Sequence, residues 1–380
     1  MEDIIVVGAG PAGSRIAQRL SHLGYRVTVV EERRRLDGDV CCTGIVSQEC
    51  LGAYAFDQLV LREVSSARLI SPSGECLALS RGTPVAAVVD RARLDLSLAE
   101  KAEASGAYYL FGAKVTDIQT SPGAVAVRID GKGPAATLRA EVAVIASGFG
   151  SSLPRRLGLG EIRPFVLGAQ AEVDTRGVDG VEIGVDQNLA PGGFTWLVPT
   201  TDGRGLAGLL TWNQADFYLK SLLGHLSAQG KIKGVNGEPG YRLAPLRPLP
   251  QTYADRILVV GAAAGQVKPT TGGGIYYGLL CADMAAEAVH QAFRAGDFSA
   301  GGLYVYEKRW KARFNRELTI NYWLRALFTR LTNEHLDCLF RLANRKGVPQ
   351  TVANARDFSF DWHSRLLLQL ARGLMPFSQA

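Results

Sequence analysis

Residues 4–31, IIVVGAGPAGSRIAQRLSHLGYRVTVVE, decide the fold. Ile4 to Val7 is an unbroken apolar run, as expected for a strand buried on both faces of a parallel sheet. It enters Gly8-Ala9-Gly10-Pro11-Ala12-Gly13, a G-x-G-x-x-G turn. Ile16, Ala17, Leu20 and Leu23 follow at helical spacing, and Gly24 closes the helix. Tyr25 to Val30 reads as a second strand with Glu31 at its end. Such a βαβ unit seats a pyrophosphate on the helix N-terminus and gives a ribose hydroxyl a carboxylate acceptor. Glu31 takes that role, or Glu32 if the strand ends one residue later. An acid rather than an arginine argues against a 2′-phosphate, so the dinucleotide is FAD or NAD rather than NADP.

A second glycine cluster lies far along the chain, in residues 257–280, ILVVGAAAGQVKPTTGGGIYYGLL. A short strand runs into Gly261, and a helical pattern begins at Ile275. Gly272-Gly273-Gly274 at the mouth of that helix are costly, since each glycine loses about 1 kcal/mol against alanine in a helix interior. They make sense where bare amide N–H groups and the positive end of the helix dipole must touch something large and flat. A flavin ring, which gains negative charge at its pyrimidine edge on reduction, is such an object. The competing explanation is a flexible loop before a core helix.

Between these clusters, Val85–Asp90 reads as a strand and Arg91 opens a helix that ends at Gly106. Strands are expected at Tyr108–Phe111, Lys114–Thr120, Ala124–Ile129 and Leu138–Ala146. From Phe165 to Trp212, short alternating strands indicate a mostly antiparallel sheet. The expected class is therefore α/β. A Rossmann-like dinucleotide domain (residues 1–60, 85–160 and 250–300) carries an inserted β-rich substrate lobe (61–84 and 161–249). A helical region, 301–380, follows.

Composition sets further limits. The chain has 380 residues, 47% of them hydrophobic, enough for two or three lobes. No apolar run reaches the roughly 20 residues a bilayer-spanning helix needs, and Met1 leads directly into the first strand, so a cytoplasmic protein without signal peptide is expected. Six cysteines show no C-x-x-C pairing, and the five histidines lie outside every motif. Zinc, a disulfide scaffold and a histidine-based hydrolase are thus unsupported, and no metal is expected. The formal charge is +6, yet from Gly301 onward 13 Lys and Arg face 6 Asp and Glu. The last expected helix, Asp361–Leu374, sets Trp362, Leu366, Leu370 and Leu374 at i+4 intervals. It either lies on an anionic membrane as a peripheral contact or closes the protein's own core. No nucleic-acid partner is expected.

Four motifs together resemble the geranylgeranyl reductase family of FAD-dependent oxidoreductases, which has the fold of the p-hydroxybenzoate hydroxylase group. They are Gly8–Gly13; Cys41-Cys42-Thr43-Gly44-Ile45-Val46-Ser47; Pro191-Gly192-Gly193-Phe194-Thr195-Trp196-Leu197-Val198-Pro199; and Gly261–Ile275. The resemblance spans roughly residues 1–320, and the last motif is its most specific part.

What the resemblance implies can be placed residue by residue. Gly8, Gly10, Ala12 and Gly13 would approach the FAD pyrophosphate, and Glu31 or Glu32 the adenosine ribose. Arg91 would contact the cofactor, and Val115 the adenine through its backbone. Cys41 or Cys42, with Gly44, would line the active face of the flavin. Gly261 and Ala262 would lie along the cofactor, while Gly273, Gly274 and Ile275 would hold the pyrimidine edge. Phe194, Trp196 and Pro199 would wall an apolar substrate site; their alternative is an ordinary sheet core. Three positions depart from the family pattern: Ala262 and Ser147 stand where carboxylates are usual, and Phe194 replaces a tyrosine. Each lost carboxylate removes hydrogen bonds to cofactor hydroxyls or bound water, about 1 kcal/mol apiece.

The implied activity is saturation of C=C bonds in a prenyl chain. An unactivated alkene cannot stabilise a carbanion, so proton donation must lead or accompany hydride transfer. Cys41, Cys42 or a bound water would supply that proton, and NAD(P)H, a ferredoxin or a quinol the electrons. Two alternatives remain: an oxygen-dependent monooxygenase or halogenase of the same fold, and a non-catalytic prenyl-lipid binding homologue.

Overall fold

The computed structural model describes residues 1–38, 40–131, 135–355, 359–362, 364 and 368. The chain divides into two units. One comprises Met1–Asp39, Ala92–Phe165 and Ala244–Thr319, and the other Val40–Arg91, Val166–Leu243 and Ile320–Ala380. Residues 40–60 and 85–91, grouped by sequence with the nucleotide lobe, cluster with the second unit.

In the first unit the strand Glu2–Val7 lies inside an eight-stranded sheet, where Ile4, Ile5 and Val6 are fully buried. The order along its main path is Tyr253–Ala254, Ile257–Val259, Ala136–Ile145, Glu2–Val7, Val27–Glu31 and Tyr108–Phe111. From Ile257–Val259 to Tyr108–Phe111 every pairing is parallel. Parallel neighbours require crossovers. The helix Pro11–His22 supplies the first, burying Ile16, Ala17 and Leu20. An antiparallel hairpin, Lys114–Ser121 with Ala124–Asp130, extends from Ala136–Ile145. The second strand is Val27–Glu31, shifted from Tyr25–Val30, so Glu31 stands within the ladder.

The return at Ile257 leads through a short turn, Gly261–Ala264, to the helix Ile275–Ala295. Beyond it runs a 29-residue helix, Ala300–Phe328. Its residues Leu303, Tyr306, Trp310, Phe314 and Leu318 recur at helical spacing and are buried. Two more helices follow, Asn333–Arg345 and Val348–Asn354. The expected helix Asp361–Leu374 lies largely outside the described residues. Within it, Trp362 donates from its indole Nε1 to Glu49 Oε2 at 3.1 Å. Among the described residues no helix is long and apolar enough to cross a membrane.

The second unit is built on a seven-stranded sheet, ordered Ile232–Pro245, Phe165–Thr175, Arg204–Thr211, Phe194–Pro199, Val181–Gly184, Ser66–Ile70 and Cys76–Ser80. Val181–Gly184 pairs parallel with Ser66–Ile70, while the other registered pairings are antiparallel. One face is closed by the helix Ala215–Ala228, absent from the sequence reading, whose Leu219, Leu222 and Leu226 cover Ala169, Ala171, Val173, Leu197 and Leu209. A small antiparallel sheet, Ile45–Ser47, Ala86–Val89 and Val60–Val64, completes the unit.

Gly13 marks how closely the first helix sits on the sheet. A β-carbon there would lie 1.9 Å from the Gly8 carbonyl oxygen and 3.3 Å from Ala146 Cβ. At Gly10 a β-carbon would meet nothing within 4 Å. Gly13→Ala is therefore expected to lower unfolding free energy by at least about 2 kcal/mol. Gly10→Ala should stay within about 1 kcal/mol of the wild type. Urea denaturation of both variants checks this, and equal midpoints would contradict the close approach.

Candidate functional site

The first unit brings the two glycine clusters together. A β-carbon on Gly261 would lie 3.0 Å from Ala12 Cβ, and one on Gly278 would lie 3.7 Å from the same atom. Ala12, in the first turn of Pro11–His22, thus touches both the turn after Val260 and the first turn of Ile275–Ala295. Neither helix has a side-chain cap: Gly10 precedes one and Gly274 the other. Two helix N-termini without side-chain caps meet at Ala12, an arrangement whose dipoles attract anionic groups.

Glu31 closes this region from the side. The residue is 4% exposed; Oε2 accepts from the Ala9 amide at 2.7 Å, and Oε1 from Arg33 N and Nε, each at 2.9 Å. Glu32 points away, with its carboxylate largely exposed and 3.3 Å from Lys114 Nζ. Of the two acids, Glu31 is the one at the glycine turn. Val115 is buried on Lys114–Ser121 among Ile5, Val7 and Val30.

The second glycine cluster is held in shape by its own backbone. Lys268 N donates to Gly273 O at 2.9 Å, and Gly272 N to Lys268 O at 2.8 Å. Gly274 packs so close to Val267 that a β-carbon would lie 2.9 Å from Cγ2. Ahead of it, Gly261 N donates to Gln266 Oε1 at 2.7 Å, Gln266 Nε2 to Tyr306 Oη at 2.8 Å, and Tyr306 Oη to Val259 O at 3.0 Å. Gln266 and Tyr306 are fully buried. Sequence reasoning missed both, although a lone glutamine inside a small-residue turn was the available signal. Ala262 carries no polar group to add.

An FAD molecule fits these residues. The space above Gly10 is open, and the hydroxyl of Ser147, whose Cα would lie 3.0 Å from a β-carbon on Gly8, is buried without a partner. Buried polar groups seldom stay unpaired. Ser147 can therefore take over part of what the missing carboxylate would do. Among the described residues no group of three or more His, Cys, Asp or Glu could hold a metal.

In the second unit, Cys41, Cys42, Gly44 and Arg91 form a connected group. Gly44 N–Cα turns so tightly under Val89 that its carbonyl accepts from Val89 N at 3.0 Å, and the Arg91 stem passes 3.4 Å from the Gly44 β-carbon position. Arg242 Nη1 donates to Cys41 O at 3.1 Å, and Gln170 Nε2 to Cys42 O at 3.4 Å. All six described cysteines are free thiols. Burial pushes the Cys41 thiol up to about 11, opposed by the charge of Arg242.

Phe194 and Trp196 share a face of their strand, with ring centroids 5.8 Å apart. Phe194 packs on Leu336 and Phe340, and Trp196 on Val88, Val181 and Val198. Both keep part of their surface uncovered. Pro199 is buried at the strand end. Arg325, buried in the last turn of the helix Ala300–Phe328, donates from Nη2 to Gly192 O at 2.6 Å and braces the Pro191–Gly193 turn.

Comparison with known proteins places these features in context. The family model described as "Lycopene cyclase protein" matches residues 3–353. A digeranylgeranylglycerophospholipid reductase of Methanothrix thermoacetophila is 30% identical over 365 residues, 91% of this chain and 92% of that protein. A geranylgeranyl bacteriochlorophyll reductase-like protein of Thermoplasma acidophilum superposes with a TM-score of 0.88 at 23% identity, covering 99% of this chain and 97% of its own. A halogenase solved in complex with FAD shares the fold, with a TM-score of 0.68 at 14% identity over 99% of this chain and 93% of its own.

The raised thiol is directly measurable. Because the folded value lies above that of a free thiol, Cys41 should stay protonated through neutral pH and lose its proton only near pH 11. The stabilisation linked to this shift is present at neutral pH and is lost as pH rises through about 11. Iodoacetamide labelling of a Cys42→Ser variant, followed by peptide mass spectrometry, should show Cys41 alkylation rising with that midpoint. A midpoint near that of an exposed cysteine would contradict the burial.

Proposed function

Because this chain belongs to the geranylgeranyl reductase family, we propose that this FAD-dependent oxidoreductase saturates C=C bonds in the prenyl chains of a lipid. The observation that carries the cofactor's placement is the meeting of two uncapped helix N-termini at Ala12. An elongated, doubly anionic dinucleotide matches that arrangement.

In this reading Gly8, Gly10, Ala12 and Gly13 hold the pyrophosphate end, with Glu31 at the ribose and the unpaired Ser147 hydroxyl open to a cofactor hydroxyl or bound water. Gly261 and Ala262 lie along the chain of the cofactor, and Gly273, Gly274 and Ile275 bind its ring. When bound and reduced, FAD supplies hydride to one alkene carbon. The amides at the start of Ile275–Ala295 favour negative charge at the ring's pyrimidine edge through the helix dipole. The family resemblance assigns Arg91 a contact with the cofactor, and Cys41 or Cys42, with Gly44, the active face of the flavin.

Phe194, Trp196 and Pro199 supply apolar surface that excludes water and orients the chain. The proton for the other alkene carbon comes from Cys41, Cys42 or an ordered water. Cys41 holds its proton at neutral pH, but a thiol titrating at about 11 is a weak acid, so it gives that proton only if transfer is concerted with hydride arrival. Electrons enter from NAD(P)H or a ferredoxin. The basic surplus beyond Gly301 supports peripheral contact with an anionic membrane, where such lipids reside.

Anaerobic addition of a geranylgeranyl lipid to dithionite-reduced protein should reoxidise the flavin and yield a saturated product. Trp196→Ala should lower kcat/KM at least about tenfold, a loss of about 1.4 kcal/mol in transition-state stabilisation. No reoxidation and no saturated product would end the assignment for that substrate. Oxygen consumption with a hydroxylated or halogenated product would move the protein to the monooxygenase or halogenase class.

A further inference from the structure

The sheet of the second unit has two unlike faces. Ala169, Ala171, Leu197, Ala207 and Leu209 point to the face closed by the helix Ala215–Ala228. Gln170, Gly208 and Trp196 alternate with them and therefore point to the other face. The three lie in one row across neighbouring strands: Gln170 is registered opposite Gly208, and Gly208 opposite Trp196. Directly opposed residues project from the same side.

Gly208 is the gap in that row. A β-carbon there would lie 2.5 Å from Trp196 Cζ2 and 2.6 Å from Cε2, so the edge of the indole lies over the glycine. The indole nitrogen is bonded to Cε2, so it too is carried toward the strand that bears Gln170. Adjacent strands are about 4.8 Å apart, which sets the Gln170 and Trp196 backbones about 10 Å apart with both side chains reaching inward.

Two polar atoms in this row have no partner. Trp196 Nε1 and Gln170 Oε1 are buried and form no hydrogen bond. Gln170 as a whole is 6% exposed. Its amide orientation is set by chemistry, because Nε2 donates to Cys42 O at 3.4 Å and a carbonyl can only accept. One orphan is thus a pure donor and the other a pure acceptor. A hydroxyl, which donates once and accepts, satisfies both at once. A carboxylate would leave Gln170 Oε1 facing another acceptor, and an ammonium would leave the indole N–H unmatched.

We infer that Gln170 and Trp196 form a hydroxyl-binding subsite on the sheet face opposite the helix Ala215–Ala228, beside Cys42. Its occupant is either an ordered water or an alcohol group of the ligand. The subsite stands on the geometry of this unit alone. Only the ligand arm of its test rests on the prenyl-lipid reading. In an otherwise aromatic and aliphatic wall, one fixed hydroxyl position would set the register of an apolar chain, which by itself slides freely.

Two measurements test this. A high-resolution crystal structure of the ligand-free protein should show a water within hydrogen-bonding distance of both Gln170 Oε1 and Trp196 Nε1. Binding of geranylgeraniol and of its methyl ether, followed by flavin absorbance changes in the FAD-loaded protein, separates the two occupants. If the ligand's alcohol occupies the subsite, the alcohol should bind about tenfold more tightly than the ether, and Gln170→Met or Trp196→Phe should cut the difference to less than about twofold. Equal binding of both, with the water present, assigns the subsite to water. Neither a water nor an alcohol preference overturns the inference. Failure of both lipids to bind, with the water still in place, removes the prenyl-lipid reading and leaves the subsite standing.

Discussion

Everything in the first unit depends on a single close packing at Ala12. The small side chain there allows the first helix, the Gly261 turn and the start of Ile275–Ala295 to meet within van der Waals contact. A helix N-terminus has backbone donors that its own hydrogen-bonding pattern cannot use. Neither of the two ends that meet here has a side-chain cap. An anionic group placed there would be attracted by both ends.

That meeting point is braced from behind. Tyr306 reaches the Gly261 turn through Gln266, while Glu307 Oε2 accepts from Thr252 N and Oγ1 at 2.8 and 3.0 Å. Trp310 Nε1 donates to the same threonine hydroxyl at 3.0 Å. One stripe of the long helix Ala300–Phe328 therefore fixes the strand and turn on which the cofactor motif is built. Lys308, Arg313 and Arg316 of the same helix are exposed, so structural support and a basic surface come from one element. Buried hydrogen-bonded groups of this kind confer rigidity, since an unpaired one would be costly.

Strand alternation gives the sheet of the second unit two unlike faces. One face is sealed by a helix of leucines, and the other presents aromatic rings, a glycine gap and two unpaired polar atoms. Arg325 fixes the Pro191–Gly193 turn that leads into the aromatic strand. Burial holds this guanidinium's titration down, to about 10. A desolvated cation is retained there because its hydrogen bond to Gly192 O and its position 5.8 Å from the Trp212 ring centroid compensate part of the desolvation.

Local sequence determined much of this. The apolar run Ile4–Val7, the glycine turn, the helix period and the acid at position 31 are short-range signals, and they specified the parallel sheet and its crossover within a few residues. The helix start at Ile275 was legible for the same reason, as were the strand periods around Phe194 and Trp196. The helix Ala215–Ala228 was not legible, because it is read correctly only as the cover of a sheet face. Juxtapositions of residues tens to hundreds of positions apart were equally invisible: Ala12 against Gly261, Gln266 bonded to Tyr306, and Gln170 level with Trp196. Those depend on register and packing, which arise only when distant segments share a core, and no local pattern encodes which partners will meet.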